Sequence, residues 1–178
     1  VDKDYIDLVY TDDKLGGQLA AYYLINFHHL DKFVYIKLAN AECSRRRFDA
    51  FQKAVKELNS DAEIAVINQN QLNTKLIQLI HNQYYGLFCF NDELAYEALK
   101  ILNKEIPNVR KVLPRLHIVG YDCISTRINC FTDLTSIDFD YDEICHTAVK
   151  FLLNRFENIK LEQQKIVFTV KLHQRKYI

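Results

Sequence analysis

What most narrows the fold of this chain is its rhythm. Strand-length apolar runs at 5–10 (YIDLVY), 33–39 (FVYIKLA), 63–68 (EIAVIN), 85–90 (YGLFCF) and 116–121 (LHIVGY) are each followed by a helix or a helix-sized connection. Parallel strands cannot be joined by a tight hairpin. Each return needs a dozen or so residues, usually a helix that covers the sheet, so this alternation predicts an α/β fold built on a parallel sheet. Gly16-Gly17 opens the helical run QLAAYYLINF. The segment 44–59 carries Phe48, Phe51, Val55 and Leu58 on one helical stripe, and 72–82 repeats Leu76, Leu79 and Ile80. Asn91-Asp92 suits the cap of ELAYEALKILN, because an Asn or Asp side chain accepts the first free backbone N–H groups of a helix. Beyond 121 the rhythm changes to a short strand at 134–139, a helix at 141–156 and a terminal strand at 165–171. No repeat or low-complexity tract interrupts it, and both prolines fall in one loop-like stretch, 105–115.

Composition excludes several classes. With 4 Gly and 2 Pro in 178 residues, collagen-like, linker-rich and turn-dense all-β architectures are out. The balance of 49% hydrophobic and 26% charged residues is that of a globular chain. Lys plus Arg and Asp plus Glu both number 23, so the chain lacks the basic footprint of non-specific nucleic-acid binding. No apolar run reaches the ~18 residues of a membrane span, and VDKDYIDLVY has no signal-peptide core. The 5 cysteines, at 43, 89, 123, 130 and 145, show no CxxC spacing and are expected to be reduced, buried thiols of a cytoplasmic protein. The absence of Met predicts a fragment rather than the natural start of a gene product.

In open α/β sheets, ligands sit beyond the carboxyl ends of the strands. Those points here hold Asp12-Asp13, residues 41–47, residues 68–71, Asn91-Asp92 and Tyr121-Asp122. A lining of acid, amide and guanidinium groups suits a polyhydroxylated ligand, since a carboxylate accepts from hydroxyls and Arg donates in a fork. Each residue also has a plainer reading. Asp122 fits a cap for the following CISTRIN as well as a ligand contact, and Asp92 fits a cap better than a contact. Of the three arginines, Arg47 shares a helix face with Phe51 and Ala54 and should point inward, where it needs an acid or a ligand. Arg46, on the side of Asp49 and Lys53, should be solvated. Gly16-Gly17 lacks the spacing of a nucleotide loop, adjacent His28-His29 do not share a face for metal binding, and no nucleophile–base pairing emerges. The expectation is therefore a binding protein without catalysis, cofactor or metal.

Several blocks, in order, resemble the effector-binding region of the lactose-repressor/galactose-repressor family of bacterial transcription regulators. TDDKLGGQLAAYYLI is similar to that family's D-N-x-x-G-G-x-x-A-x-x-x-L-I, and RFDAF to R-x-x-G-F, with Ala50 where Gly is usual. FCFNDELAYEALKIL, LHIVGYDCI, LTSIDFDYDEICHTAVKFLL and LHQRKYI resemble four further blocks, and Phe139-Asp140 stand where Gln-Pro is usual. The resemblance implies a Rossmann-like parallel-sheet lobe of a periplasmic-binding-protein-like fold with part of a second lobe, the lobes joined by three crossovers. It divides the chain into a partial first-lobe segment at 1–30, a second lobe at 31–137, a returning first-lobe segment at 138–162 and a final second-lobe strand at 163–178. The DNA-binding head and most of the first lobe would precede Val1.

Carried over by motif, Asp12, Arg47, Asn91 and Asp122 would hydrogen-bond the effector. Phe139, Tyr141 and Ile144 would sit near the cleft mouth, and Cys43 and Ser44 would lie on a loop entering it. The implied protein is a cytoplasmic, homodimeric repressor. A sugar-like effector would close its lobes, and operator DNA would meet only the N-terminal domain absent from this chain. A periplasmic sugar-binding protein shares the fold, but predicts a signal peptide and few free cysteines. A phosphoacceptor receiver domain would need an Asp where Asn68-Gln69 end the third strand.

Overall fold

The computed structural model describes residues 6–124 and 134–174. It is α/β, and the chain separates into two compact units. The larger comprises Asp13–Asp138 with Lys171–Ile178, and the smaller Val1–Asp12 with Phe139–Val170. The backbone thus passes between units after Asp12, Asp138 and Val170.

The larger unit is built on β2 (Lys32–Lys37), β3 (Glu63–Asn68), β4 (Gly86–Cys89), β5 (His117–Tyr121), β6 (Thr135–Asp138) and β8 (Lys171–His173). They lie in the order β3-β2-β4-β5-β6-β8, and only β8 runs antiparallel to its neighbour. β4 is buried at every position and β2 at all but its end residues, as expected of strands covered on both faces. On one face Phe33 and Phe88 meet Phe51 of α2 (Glu42–Leu58), with ring centroids 5.9 and 5.1 Å away, and Tyr35 stacks on Phe48 of the same helix at 5.0 Å. On the other, Val34, Ile36, Leu87 and Ile118 join Leu76 of α3 (Leu72–His81) and Ala98 and Leu102 of α4 (Asp92–Glu105). Burying one such large side chain contributes about 1.5–3 kcal/mol. A short α5 (Val109–Val112) follows within the proline-bearing stretch.

α1 (Asp13–Tyr22) starts three residues before the glycines expected to open it. Its buried stripe is Asp13, Gly16, Gly17, Ala20 and Ala21, all small after the first. A Cβ on Gly17 would sit 2.3 Å from the Arg47 carbonyl oxygen, and one on Gly16 would sit 2.5 Å from the Tyr121 ring. Gly17 thus serves the contact of α1 with α2 and Gly16 its contact with β5, at a cost of about 1 kcal/mol each in helix propensity. Those contacts also correct the expected boundary: residues 13–30 belong with the larger unit.

The smaller unit pairs β1 (Leu8–Thr11) in parallel with β7 (Lys165–Phe168) beside α6 (Tyr141–Glu157). The Arg155 guanidinium donates to both Asp7 oxygens, at 3.1 and 2.6 Å. The single expected terminal strand is broken at Thr169-Val170. Its first half pairs with β1 and only its second joins β6, so the final strand of the larger unit begins at Lys171 rather than 163. The CISTRIN reading, Cys130 and residues 175–178 lie outside the described residues. Of the other cysteines, Cys89 and Cys123 are buried, Cys43 is half-buried, and Cys145 is exposed on α6 rather than buried as expected.

Candidate functional site

The carboxyl ends of β4 and β5 are adjacent, and the chain places its expected polar residues just beyond them. Asn91 follows β4 and caps α4, its side-chain oxygen accepting the Leu94 N–H at 3.0 Å. Asp122 follows β5 with φ of 93°, and its N–H donates to the Ile137 carbonyl at 2.9 Å. Arg47 arrives from α2 and is buried, as its helix phase predicts. Its Nε donates to Asp13 Oδ1 at 2.9 Å and its Nη1 to the Phe90 carbonyl at 2.7 Å. Its guanidinium carbon lies 3.4 Å from the Tyr121 ring centroid and 4.8 Å from that of Phe90. Arg47, Asn91 and Asp122 therefore share one rim, and Nη2 of Arg47 is uncommitted among the described residues. Burial opposes the guanidinium's charge, but Tyr121, Asp13 and Asp122 outweigh it and hold its pKa above the ordinary value.

The acid that makes this arginine tolerable is Asp13, the chain neighbour of the Asp12 that the resemblance assigns to the effector. Asp13 heads the buried stripe of α1 and also accepts from Arg46, at 3.1 Å from Nε and 2.9 Å from Nη2. The signal was present, since Asp13 precedes Gly16-Gly17 and Ala20-Ala21 at helical spacing. Asp12 belongs to the smaller unit, where its N–H donates to the Phe168 carbonyl at 2.8 Å. Arg46 is likewise not the solvated member of its run. That is Arg45, which pairs with Glu42 and Asp49 at 2.5 and 2.8 Å.

Cys43 and Ser44 lie in the first turn of α2 rather than on a loop. Ser44 is turned inward, its Oγ 3.1 Å from the Tyr35 hydroxyl, which also donates to the Ser44 carbonyl. Burial pushes the Tyr35 phenol well above its ordinary range. A cavity of about 520 Å³ opens here between β2, β3 and α2, with Lys37, Asn40, Phe48 and Asn68 in its lining. In the smaller unit Phe139 and Tyr141 stack on each other, with centroids 4.2 Å apart, and Ile144 is half-buried one turn along α6.

A residue that the sequence reading set aside as a cap lies directly behind the rim. Asp92 is fully buried, accepting from Ile124 N–H at 2.8 Å and from the Ser136 hydroxyl at 2.6 Å. Burial, with Asp122 adding like charge, pushes its pKa up to about 7 against the pull of these hydrogen bonds. Among the described residues no group of His, Cys, Asp and Glu is placed to hold a metal ion.

A Rossmann-like unit with polar groups gathered at one strand-end rim defines a class of ligand-binding α/β proteins. More narrowly, residues 22–176 match the periplasmic binding protein-like domain, and the chain belongs to that family. It is 26% identical over 179 residues to the ribose operon repressor of Escherichia coli strain K12, covering 95% of this chain and 52% of that protein. It is also 26% identical to the HTH-type transcriptional repressor PurR of Actinobacillus pleuropneumoniae, covering 90% of this chain and 49% of that one. The chain spans about half the length of these curated relatives. Among solved structures, a LacI family transcriptional regulator from Enterococcus faecium with bound ribose superposes with a TM-score of 0.80 at 24% identity, over 98% of this chain and 66% of that one. A periplasmic binding protein/LacI transcriptional regulator from Alkaliphilus metalliredigens, complexed with D-xylulofuranose, gives 0.78 at 22% identity, over 97% and 66%.

Proposed function

We propose that this chain is the effector-sensing part of a DNA-binding transcriptional repressor, and that its effector is a sugar or sugar phosphate. The observation that carries the reading is the buried Arg47, held by Asp13 and Tyr121 at the rim that Asn91 and Asp122 share. Such an array offers a fork of donors beside a carboxylate and an amide, which matches the alternating hydroxyls of a sugar. The names of the curated relatives support a repressor over both an enzyme and a periplasmic binding protein, and the sugars in the solved neighbours support the ligand class. Cys43, in the first turn of α2, completes the proposed site within the larger unit.

In this reading the effector binds the closed arrangement of two lobes better than the open one and shifts the population toward it. The protein acts as a cytoplasmic homodimer, and operator DNA is met by a domain outside these residues, two half-sites requiring two readers. Among the described residues no helix is long and apolar enough to cross a membrane. The test is calorimetric titration of the full chain with D-ribose and D-ribose 5-phosphate. Arg47→Lys keeps the charge and removes the fork, so at least a tenfold loss of affinity is expected. Unchanged affinity would remove Arg47 from the site.

A further inference from the structure

Three elements converge on the carboxylate of Asp92. It sits in the first turn of α4, fully buried. Oδ2 accepts the N–H of Ile124 at 2.8 Å, and Oδ1 accepts the hydroxyl of Ser136 on β6 at 2.6 Å. The same Ser136 oxygen accepts the N–H of Cys123 at 3.0 Å. Both backbone donors belong to the residues directly after Asp122. The backbone there is strained, with φ of 93° at Asp122 and 49° at Cys123, a region that a non-glycine residue rarely adopts. Such a conformation persists only where its surroundings impose it. β5 makes room for the carboxylate with a glycine, since a Cβ on Gly120 would lie 2.0 Å from Asp92 Oδ1.

We infer that Asp92 is a positioning residue: together with Ser136 it holds the 122–124 backbone in the shape that presents Asp122 to the effector, so effector affinity follows the ionisation of Asp92. The inference rests on the reading of Asp122 as an effector ligand. An ionised carboxylate is an acceptor at both oxygens and takes the Ile124 N–H and the Ser136 O–H together. Once protonated, it donates from one oxygen. A proton on Oδ2 weakens the acceptance of the Ile124 N–H, and a proton on Oδ1 turns the Ser136 hydroxyl toward the more distant Ile137 carbonyl, 3.5 Å away. Among the described residues, the titratable groups facing Asp92 are the Cys89 thiol from β4 and Asp122 from the turn after β5. Burial and the Asp122 charge place the transition near neutrality, so the hold is stronger at pH 8 than at pH 6.

The experiment measures amide hydrogen exchange at Cys123 and Ile124 in the full chain by NMR, and D-ribose affinity by calorimetry, from pH 6 to pH 8.5. The chains compared are wild type, Asp92→Asn and Ser136→Ala. At pH 8 both variants should exchange these two amides at least tenfold faster, relative to the Leu99 amide in α4, and bind D-ribose at least tenfold more weakly. Wild-type affinity should fall on going from pH 8 to pH 6, while the Asp92→Asn profile stays flat. Wild-type exchange rates in both variants would overturn the inference. So would a flat wild-type profile with affinity retained in Asp92→Asn. Should Asp92→Asn fail to fold, Ser136→Ala and the wild-type profile decide. If D-ribose and D-ribose 5-phosphate both fail to bind wild type, it is the effector reading that falls, and the exchange measurements still decide whether Asp92 holds the turn.

Discussion

In the larger unit Phe33, Tyr35, Phe51 and Phe88 are fully buried between sheet and helices. In the smaller unit α6 buries no side chain, and Leu152, Leu153, Phe156 and Ile159 are 55%, 56%, 79% and 79% exposed. The two differ little in apolar content per element. They differ in how many elements share it. Six strands with helices on both faces enclose a core, whereas two strands and one helix have too few surfaces to cover each other. The smaller unit is tied together instead by polar contacts between chain segments about 150 residues apart: the Arg155–Asp7 pair, Gln163 Nε2 donating to the Ile6 carbonyl at 2.6 Å, and the short β1–β7 ladder.

The sharpest way to break this contrast is Phe51→Ala, which should cost about 3–5 kcal/mol by urea unfolding, because the cavity opens among rings that cannot collapse into it. Asp13→Ala should follow at about 3–5 kcal/mol, since it strands Arg47 as an unpaired buried charge. If that variant lost under about 1 kcal/mol, the buried pair would not be the anchor of the rim. Gly17→Ala drives a Cβ against the Arg47 carbonyl and should cost about 1–3 kcal/mol, read as a lowered urea midpoint.

Acid should loosen the larger unit through a stacked histidine pair, His28 and His117, whose ring centroids lie 3.3 Å apart. Burial first, and His28 second, lower His117 to about 4, and burial lowers His28 as well. The unfolded chain, with its histidines near 6.5, then binds more protons than the folded one. The pair's own contribution to stability is therefore full above pH ~6.5 and drains as the pH falls toward 4. His117→Gln should flatten that part of the urea-midpoint profile, and an unaltered slope would remove the pair as its cause. The smallest effect is expected in the other unit. Phe156→Ser should change stability by no more than about 0.5 kcal/mol while reducing binding of an apolar dye, and a loss near that of Phe51→Ala would show that α6 is covered after all.

Much of the architecture was legible. Apolar runs of strand length placed β2 to β6 within a residue or two, and the stripe through Phe51 and Val55 oriented α2 so that Arg47 was turned inward before any contact was known. Less legible were choices between neighbours. Asp12 and Asp13 are chemically identical, and only the phase of α1 tells which one faces the arginine. The run 165–171 has uniform strand character, and nothing local marks the point where its ladder changes partner from β1 to β6. Asp92 looked like a cap because its role comes from Ser136 and Ile124, which lie 44 and 32 positions away.

The sequence by itself determined the alternation of strands and helices, the inward face of each helix and the polar character of the strand ends, because periodicity and local hydrogen-bonding capacity are carried by near neighbours. Only the tertiary structure decided which carboxylate neutralises Arg47, which unit receives residues 13–30 and 165–168, and which buried acid stands behind Asp122. Those choices rest on desolvation and close approach, which depend on groups far apart along the chain and arise only when they are packed together.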